Sequence, residues 1–366
     1  MKKAQKNDFA YYQVENDLKA YPDAWCYAIV GGRNTGKTYG GLSYFMKEKQ
    51  PITYCKRTNE DVDVICSGNN LGQKAGSAEV DFSPYKSINR DKGTNVKAYK
   101  IRSGLGGFYN TKDGEASGLP VSYLVSLNAV QKIKGFDLSD SEALMFDEFI
   151  PQPWERISRN EGEQLMDLYK TIARDRVLRG RGELKLILFA NAVNVWNPTC
   201  DILELTDTIA EMSMKGREVY YDKERGIFIR ILKTSRTMMD AESETGMYKA
   251  MSGTKWGRMA FGNEFGYNDF SKVKKMALKG FRGVASVAVK GKPWYIYYND
   301  EKGWYVCKSR HDRGKCYDLD VEYDQKAFYL DIVIDVMNAG LDGLAWFETY
   351  AMYDLFTNFK RRYQVK

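Results

Sequence analysis

Gly31-Gly32-Arg33-Asn34-Thr35-Gly36-Lys37-Thr38 is the stretch on which the fold turns. It fits G-x-x-x-x-G-K-[ST], the phosphate-cradling Walker A loop. The run before it, 25–30 (WCYAIV), is apolar and of strand type, and 38–47 reads as a helix. Strand, glycine-rich turn and helix are what the chemistry needs. Gly31 and Gly36 let the backbone turn with φ > 0 and approach the phosphates closely. The loop N–H groups and the helix N-terminus then face an anion. The eight residues are therefore candidates for a nucleoside triphosphate site. Lys37 would reach the β- and γ-phosphates, and the Thr38 hydroxyl would hold Mg²⁺.

A second motif completes that site. Ala143-Leu144-Met145-Phe146-Asp147-Glu148 is a buried strand ending in two carboxylates. Asp147 would hold Mg²⁺ through water, and Glu148 would orient and activate the attacking water. A glutamate directly after the aspartate favours hydrolysis over phosphotransfer, because a phosphotransferase must exclude water. About 110 residues separate Lys37 from Asp147, room for intervening strands. This spacing agrees with an α/β P-loop ATPase of the additional-strand, catalytic-glutamate class. Asn191 ends the next apolar run, 184–190 (LKLILFA), where a polar side chain can sense the γ-phosphate. A strand-ending turn is the plain alternative.

Between these motifs, 162–178 reads as a helix with Leu165, Leu168, Tyr169 and Ile172 on its apolar stripe. Arg174 lies about 180° from Leu165, away from the stripe. It could serve a neighbouring subunit as an arginine finger, with Arg176 and Arg179 as local rivals and a solvated face as the alternative.

Composition narrows the class. The 366 residues suit two or three domains. No segment approaches 18 uncharged apolar residues, so no membrane span is expected, and the N-terminus has no apolar signal region. An intracellular protein is the expectation. Six cysteines without a C-x-x-C pair fit reduced, mostly buried thiols. One histidine, His311, stands in SRHDRGK and reads as an exposed loop residue; His-based metal chemistry is close to excluded. Net charge is +7, and between Lys255 and Lys292 nine bases against two acids equal that excess. Trp256, Phe261, Phe265, Tyr267 and Phe270 are interleaved there, which suits nucleic acid or a solvated basic face over a local core.

The remaining chain reads more coarsely. Residues 1–22 look like an N-terminal helix or arm. A strand over 52–55 ends in Lys56-Arg57, and 58–67 is expected to be helical. Glycine-rich 68–118 reads as a loop-rich insertion with a hairpin turning at Asp113-Gly114, followed by a strand over 121–127. Helices are expected over 201–209 and 242–251 and a strand over 226–232. Strands are expected over 283–289, 293–299 and 304–308, and a last helix over 344–360.

GGRNTGKT, LMFDEFI, YKTIARDR and FANAVNVWNP occur in this order and resemble the DNA-packaging ATPases (encapsidation proteins) of phi-twenty-nine-type small tailed phages. The stretch 252–265 (SGTKWGRMAFGNEF) is similar to that family's linker. The resemblance implies an ATP- and Mg²⁺-dependent motor that moves double-stranded DNA into a prohead. It implies a homo-oligomeric ring, a pentamer, docked on the phage portal protein, with a packaging RNA as a further candidate partner. The setting would be the host cytoplasm, transiently on the prohead, with no membrane. By position, Arg33 would touch nucleotide, Arg174 would act in trans, Lys134 would lie at the subunit interface, and Lys56 would face nucleotide or interface. The expected division is a P-loop ATPase domain over 1–210, a linker region over 211–270, and a smaller α+β RNase H-like C-terminal domain over 271–366. That last domain is expected to lack a nuclease site, since 283–289 contains no acid and Asp331 and Asp335 read as helix-surface residues. The rivals are a large terminase with an active nuclease, a nucleotide kinase, and an ATP-switched nucleic-acid-binding protein.

Overall fold

The computed structural model describes residues 11–72, 81–133, 135–152, 154–155, 157–234, 236–254, 256–258, 265 and 268–365. The chain divides into two compact units. The first comprises the described residues of Met1–Leu203 and Lys215–Tyr267, the second Glu204–Met214 and Asn268–Lys366.

In the first unit the strands are β1 (Cys26–Val30), β2 (Ile52–Lys56), β3 (Val96–Arg102), β4 (Leu105–Lys112), β5 (Glu115–Ser126), β6 (Ala143–Asp147), β7 (Lys185–Ala190), β8 (Val219–Asp222) and β9 (Ile227–Ile231). They form one sheet in the order β3-β4-β5-β2-β6-β7-β1-β9-β8. From β5 to β9 every neighbouring pair is parallel; β3-β4-β5 and β8-β9 are antiparallel. The parallel centre explains the uninterrupted apolar runs: a parallel strand is covered on both faces and has no solvent side to alternate toward. All five residues of β1 are buried. The helices are α1 (Val14–Ala20), α2 (Lys37–Lys47), α3 (Asn59–Cys66), α4 (Tyr85–Lys92), α5 (Val130–Ile133), α6 (Glu161–Ala173) and α7 (Pro198–Ile202), with α9 (Arg236–Ser243) and α10 (Gly246–Met251) after the last strand. The α3 start shows how local chemistry sets an end. Thr58 accepts from the Asp61 N–H and Asp61 accepts from the Thr58 N–H, a reciprocal cap.

The second unit contains α8 (Thr206–Met214) and the strands β10 (Arg282–Val289), β11 (Lys292–Asn299), β12 (Gly303–Cys307), β13 (Lys315–Asp318) and β14 (Ala345–Phe347). The order is β13-β10-β11-β12-β14. An antiparallel meander, β10-β11-β12, is flanked by β13 parallel to β10 and β14 parallel to β12. The helices α11 (Glu322–Phe328), α12 (Ile334–Leu341), α13 (Tyr350–Thr357) and α14 (Phe359–Tyr363) complete it. Phe328, Phe347, Phe356 and Phe359 fill a core with Ile296 and Val306. Asp207 in α8 caps α13 by accepting the Ala351 N–H at 2.8 Å. No described helix is long and apolar enough to cross a membrane.

Five expectations need correction. The stretch 68–118 is more than a loop with a hairpin: α4 and a three-stranded antiparallel ladder extend the main sheet through β5. Its glycines reflect close packing as well as turns; a Cβ on Gly106 would lie 2.8 Å from the Tyr99 carbonyl oxygen. The stretch 211–270 is not linker throughout, because β9 pairs with β1 along five residues. The helix over 162–178 stops at Ala173, and Arg174 turns the chain with φ 38°. The last helix does not begin at 344. Residues 345–347 pair with β12, so tertiary strand pairing overrides the helical period. His311 is half-buried, packed edge-on to Tyr297 at 4.7 Å, in space that a Cβ on Gly283 would occupy. Residues 1–10 of the expected N-terminal arm lie outside the described residues; 14–20 are helical.

Candidate functional site

The carboxyl ends of β1, β6 and β7 converge on a cleft of about 410 Å³, lined among others by Arg33, Lys37, Thr38, Asp147, Glu148 and Asn191. The loop after β1 carries two left-handed residues, Asn34 (φ 61°) and Gly36 (φ 81°), the latter capping α2; Gly31, expected to turn with φ > 0, does not, and its missing Cβ instead leaves room for Leu232. A Cβ on Gly36 would also strike Tyr11, coming within 2.8 Å of that side chain. Residue 12 pins the loop from outside, its N–H donating to the Thr35 carbonyl at 2.9 Å.

Lys37 is 8% exposed. Its ammonium donates to the carbonyls of Gly31 (3.1 Å) and Gly32 (2.7 Å) and to Thr35 Oγ1 (3.1 Å), with Asn191 Oδ1 at 3.5 Å. Burial pulls its pKa down to about 8, against the opposing charges of Asp147 and Glu148. Neutral carbonyls are modest partners for a buried cation, and a phosphate would be a stronger one. Asn191 thus meets Lys37 from the end of β7, where the sequence placed it.

Thr38 Oγ1 donates to Asp147 Oδ2 at 3.1 Å, so helix α2 and strand β6 bring two hard oxygen donors together. Glu148 follows in a left-handed conformation, φ 59°, which is strained for a residue with a Cβ. Three contacts hold it. Its N–H donates to Asp147 Oδ1 at 3.1 Å, its carbonyl accepts from Arg57 Nη2 at 2.9 Å, and its carboxylate accepts from Lys56 Nζ at 2.7 Å. The Lys56 ammonium, against the cost of burial, keeps the Glu148 carboxyl below its usual range. Burial opposes the charge of Lys56, but Asp147 and Glu148 outweigh it and raise its pKa. A carboxylate so held is ionised at neutral pH, and its proton affinity rises when Lys56 lets go.

Sequence reading passed over two residues here. Arg57 is 11% exposed and ties the turn after β6 to the start of α6, donating to Glu155 (2.9 Å) and Glu161 (2.6 Å). Tyr54 donates to Asp147 Oδ2 at 2.7 Å. No sequence signal marks them; the parallel pairing of β2 with β6, with Cys55 in register with Phe146, brings the end of β2 beside the carboxylates.

Other candidates lie elsewhere. Arg174 Nε donates to the Thr171 carbonyl at 3.1 Å, Nη2 to that of Phe136, and Nη1 lies 3.8 Å from Asp137. Helix α6 runs back along the sheet, and Tyr169 donates to the Leu184 carbonyl just before β7. Arg174 therefore stands toward the amino ends of the strands, away from its own chain's cleft. Arg176 is 3% exposed and bonded to Glu142 and the Ser141 carbonyl, which leaves it no reach. Lys134 lies outside the described residues, as do Lys255, Phe261 and Tyr267 of the basic stretch. In the second unit Lys272 and Lys274 stand over Trp346, at 5.1 and 3.2 Å from the ring centre, and Lys292 pairs with Glu204. Among the described residues no three His, Cys, Asp or Glu side chains group as a metal site.

No curated protein matches the chain. Two solved structures share its fold over nearly the whole length. One is the phage Phi-28 gp11 DNA packaging motor (TM-score 0.60, 17% identity, 98% of each chain). The other is the bacteriophage Phi-29 viral genome packaging motor assembly (TM-score 0.64, 18% identity, 96% of this chain and 99% of that one). At such identity the likeness is one of fold. The family model for the podovirus DNA encapsidation protein (Gp16) matches residues 113–323, more than half of the 366 residues and the part that carries Asp147 and Glu148. The chain belongs to the podovirus DNA encapsidation protein (Gp16) family.

Proposed function

We propose that the chain performs encapsidation as an ATP-hydrolysing motor that moves double-stranded DNA into a preformed capsid. The observation that carries this reading is the convergence of Lys37, Thr38, Asp147 and Glu148 on one cleft at the carboxyl ends of parallel strands. Lys37 would exchange its carbonyl partners for the β- and γ-phosphates. Arg33, Asn34, Thr35 and the loop glycines would enclose those phosphates. Thr38 and Asp147 would hold Mg²⁺, which when bound neutralises phosphate charge. Glu148 would orient and polarise the attacking water, most effectively once Lys56 releases its carboxylate. Asn191, touching Lys37, would report the γ-phosphate to β7.

The finer expectations stand as part of this proposal. The first unit would be an ATPase of the additional-strand, catalytic-glutamate class. The second, with its mixed five-stranded sheet, would be the RNase H-like domain without nuclease activity. Several copies would form a ring, a pentamer, on the portal of the prohead in the host cytoplasm. Arg174 would serve the neighbour's cleft, which its place away from its own supports. Lys134 and a packaging RNA would belong to the interfaces of that assembly.

ATP turnover measured with and without double-stranded DNA, over a range of salt, tests the motor. Stimulation that fades as salt rises is expected. Indifference to DNA at low salt would remove the translocase.

A further inference from the structure

Asp147, the carboxylate proposed to hold the metal, is held by more than Thr38. Asp147 Oδ2 accepts from Thr38 Oγ1 at 3.1 Å and from the Tyr54 hydroxyl at 2.7 Å; Oδ1 accepts the Glu148 N–H at 3.1 Å. Tyr54 is the shortest of the three contacts and comes from a separate strand, β2. Its place there is fixed by packing. The side chain is 2% exposed and meets Phe108 of β4 edge-on, with ring centres 6.0 Å apart. Phe108 in turn packs on Tyr85 of α4 at 4.8 Å, and the Tyr85 hydroxyl lies 2.6 Å from Ser122 Oγ.

We propose that Tyr54 is a positioning residue of the metal site. Its hydroxyl fixes the Asp147 carboxylate in the orientation in which that group and Thr38 together hold a divalent cation. Thr38 stands in the first turn of α2, on the loop that would meet the ligand, whereas Tyr54 is anchored in the aromatic cluster with Phe108 and Tyr85. It therefore holds Asp147 in place whether or not nucleotide is bound. Partners behind a metal ligand commonly change metal affinity by about 10- to 100-fold when lost. Sequence alone gives no hint of this, because a tyrosine in a buried strand looks like core.

The proposal rests on Asp147 as the metal carboxylate, and the experiment separates the two ideas. Binding of a fluorescent ATP analogue to the full chain is titrated with Mg²⁺ and repeated without metal. Tyr54→Phe keeps the ring and its contact with Phe108. It should raise the Mg²⁺ concentration at half-saturation by about tenfold while changing metal-free nucleotide affinity by less than about twofold. The ratio of the two affinities is read on folded protein, so a lowered melting temperature does not decide the matter. An unchanged ratio, or a lower Mg²⁺ requirement, overturns the role of Tyr54. Asp147→Asn is the companion: wild-type Mg²⁺ dependence in that variant overturns the metal assignment itself. A shift in Asp147→Asn without one in Tyr54→Phe leaves the site standing and removes Tyr54 alone.

Discussion

The two ends of the parallel strands are both rich in cations, and they differ in what those cations hold. At the amino ends Arg176 is bonded to the carbonyls of Gly182 and Ser141 and to Glu142. Arg181 shares Glu142 at 2.6 Å, and Lys185 is bound at 2.7 Å by the carbonyls of Pro22 and Ala24. At the carboxyl ends Lys37 rests on loop carbonyls and Lys56 on a carboxylate that is 59% exposed. The first set of partners is permanent. The second lines the cleft of the proposed function, where a ligand would replace it without opening the fold. Charge alone therefore marks neither end as a site; the replaceability of the partners does.

That contrast can be broken experimentally. Glu148→Gln should lower ATP turnover by about 1,000-fold while leaving nucleotide affinity within about threefold, as read from phosphate release and binding titration. Near-normal turnover would strip the carboxyl end of its catalytic role. Arg176→Ala should cost about 3 kcal/mol in urea unfolding, because it leaves the carbonyls of Ser141 and Gly182 without their donor and Glu142 with Arg181 alone. If it instead cost nothing, the amino end would not be the scaffold described.

Lys37 offers a finer probe. Its pKa lies near 8 rather than near 10.5, so the unfolded chain binds more protons between those values. Stability of the nucleotide-free protein should accordingly rise with pH across that window, and Lys37→Met should flatten the rise. A phosphate would push the pKa back up. Nucleotide binding near pH 9 should then take up close to one proton, measurable by calorimetry in buffers of different ionisation enthalpy. The smallest effect is expected at Arg174, half-exposed at the end of α6. Arg174→Ala should change stability by less than about 0.5 kcal/mol. Mixed with Glu148→Gln protein, it should recover part of the ATPase if the arginine serves a neighbour; no recovery at any ratio argues against action in trans.

The strand–loop–helix around Lys37 and the carboxylates of β6 were legible because each is a local pattern with a covalent spacing. What stayed hidden depends on strand neighbours far apart in the chain. Helix α4 buries only Tyr85 and Ile88 among eight residues, too few for a stripe. β14 sits inside a run whose apolar residues recur at helical spacing, and only its partner β12 makes it a strand. Arg57 and Tyr54 looked like the end of a strand and a piece of core. Their roles come from β6, about 90 residues on. Arg174 was read as projecting from a helix that in fact ends one residue earlier.

The path of the chain between units has a practical consequence. Residues 204–214 belong to the second unit, and 215–267 return to the first, bringing β9 to the far side of β1. A truncation near residue 210 would cut α8 in two and discard β8 and β9 together. The strand that leads into the loop 31–38 would become a bare, wholly apolar sheet edge, a template for pairing with other chains. An isolated first unit must therefore be produced with its returning hairpin, by replacing 204–214 with a short connector rather than by stopping the chain before it. Expression boundaries in this protein come in pairs.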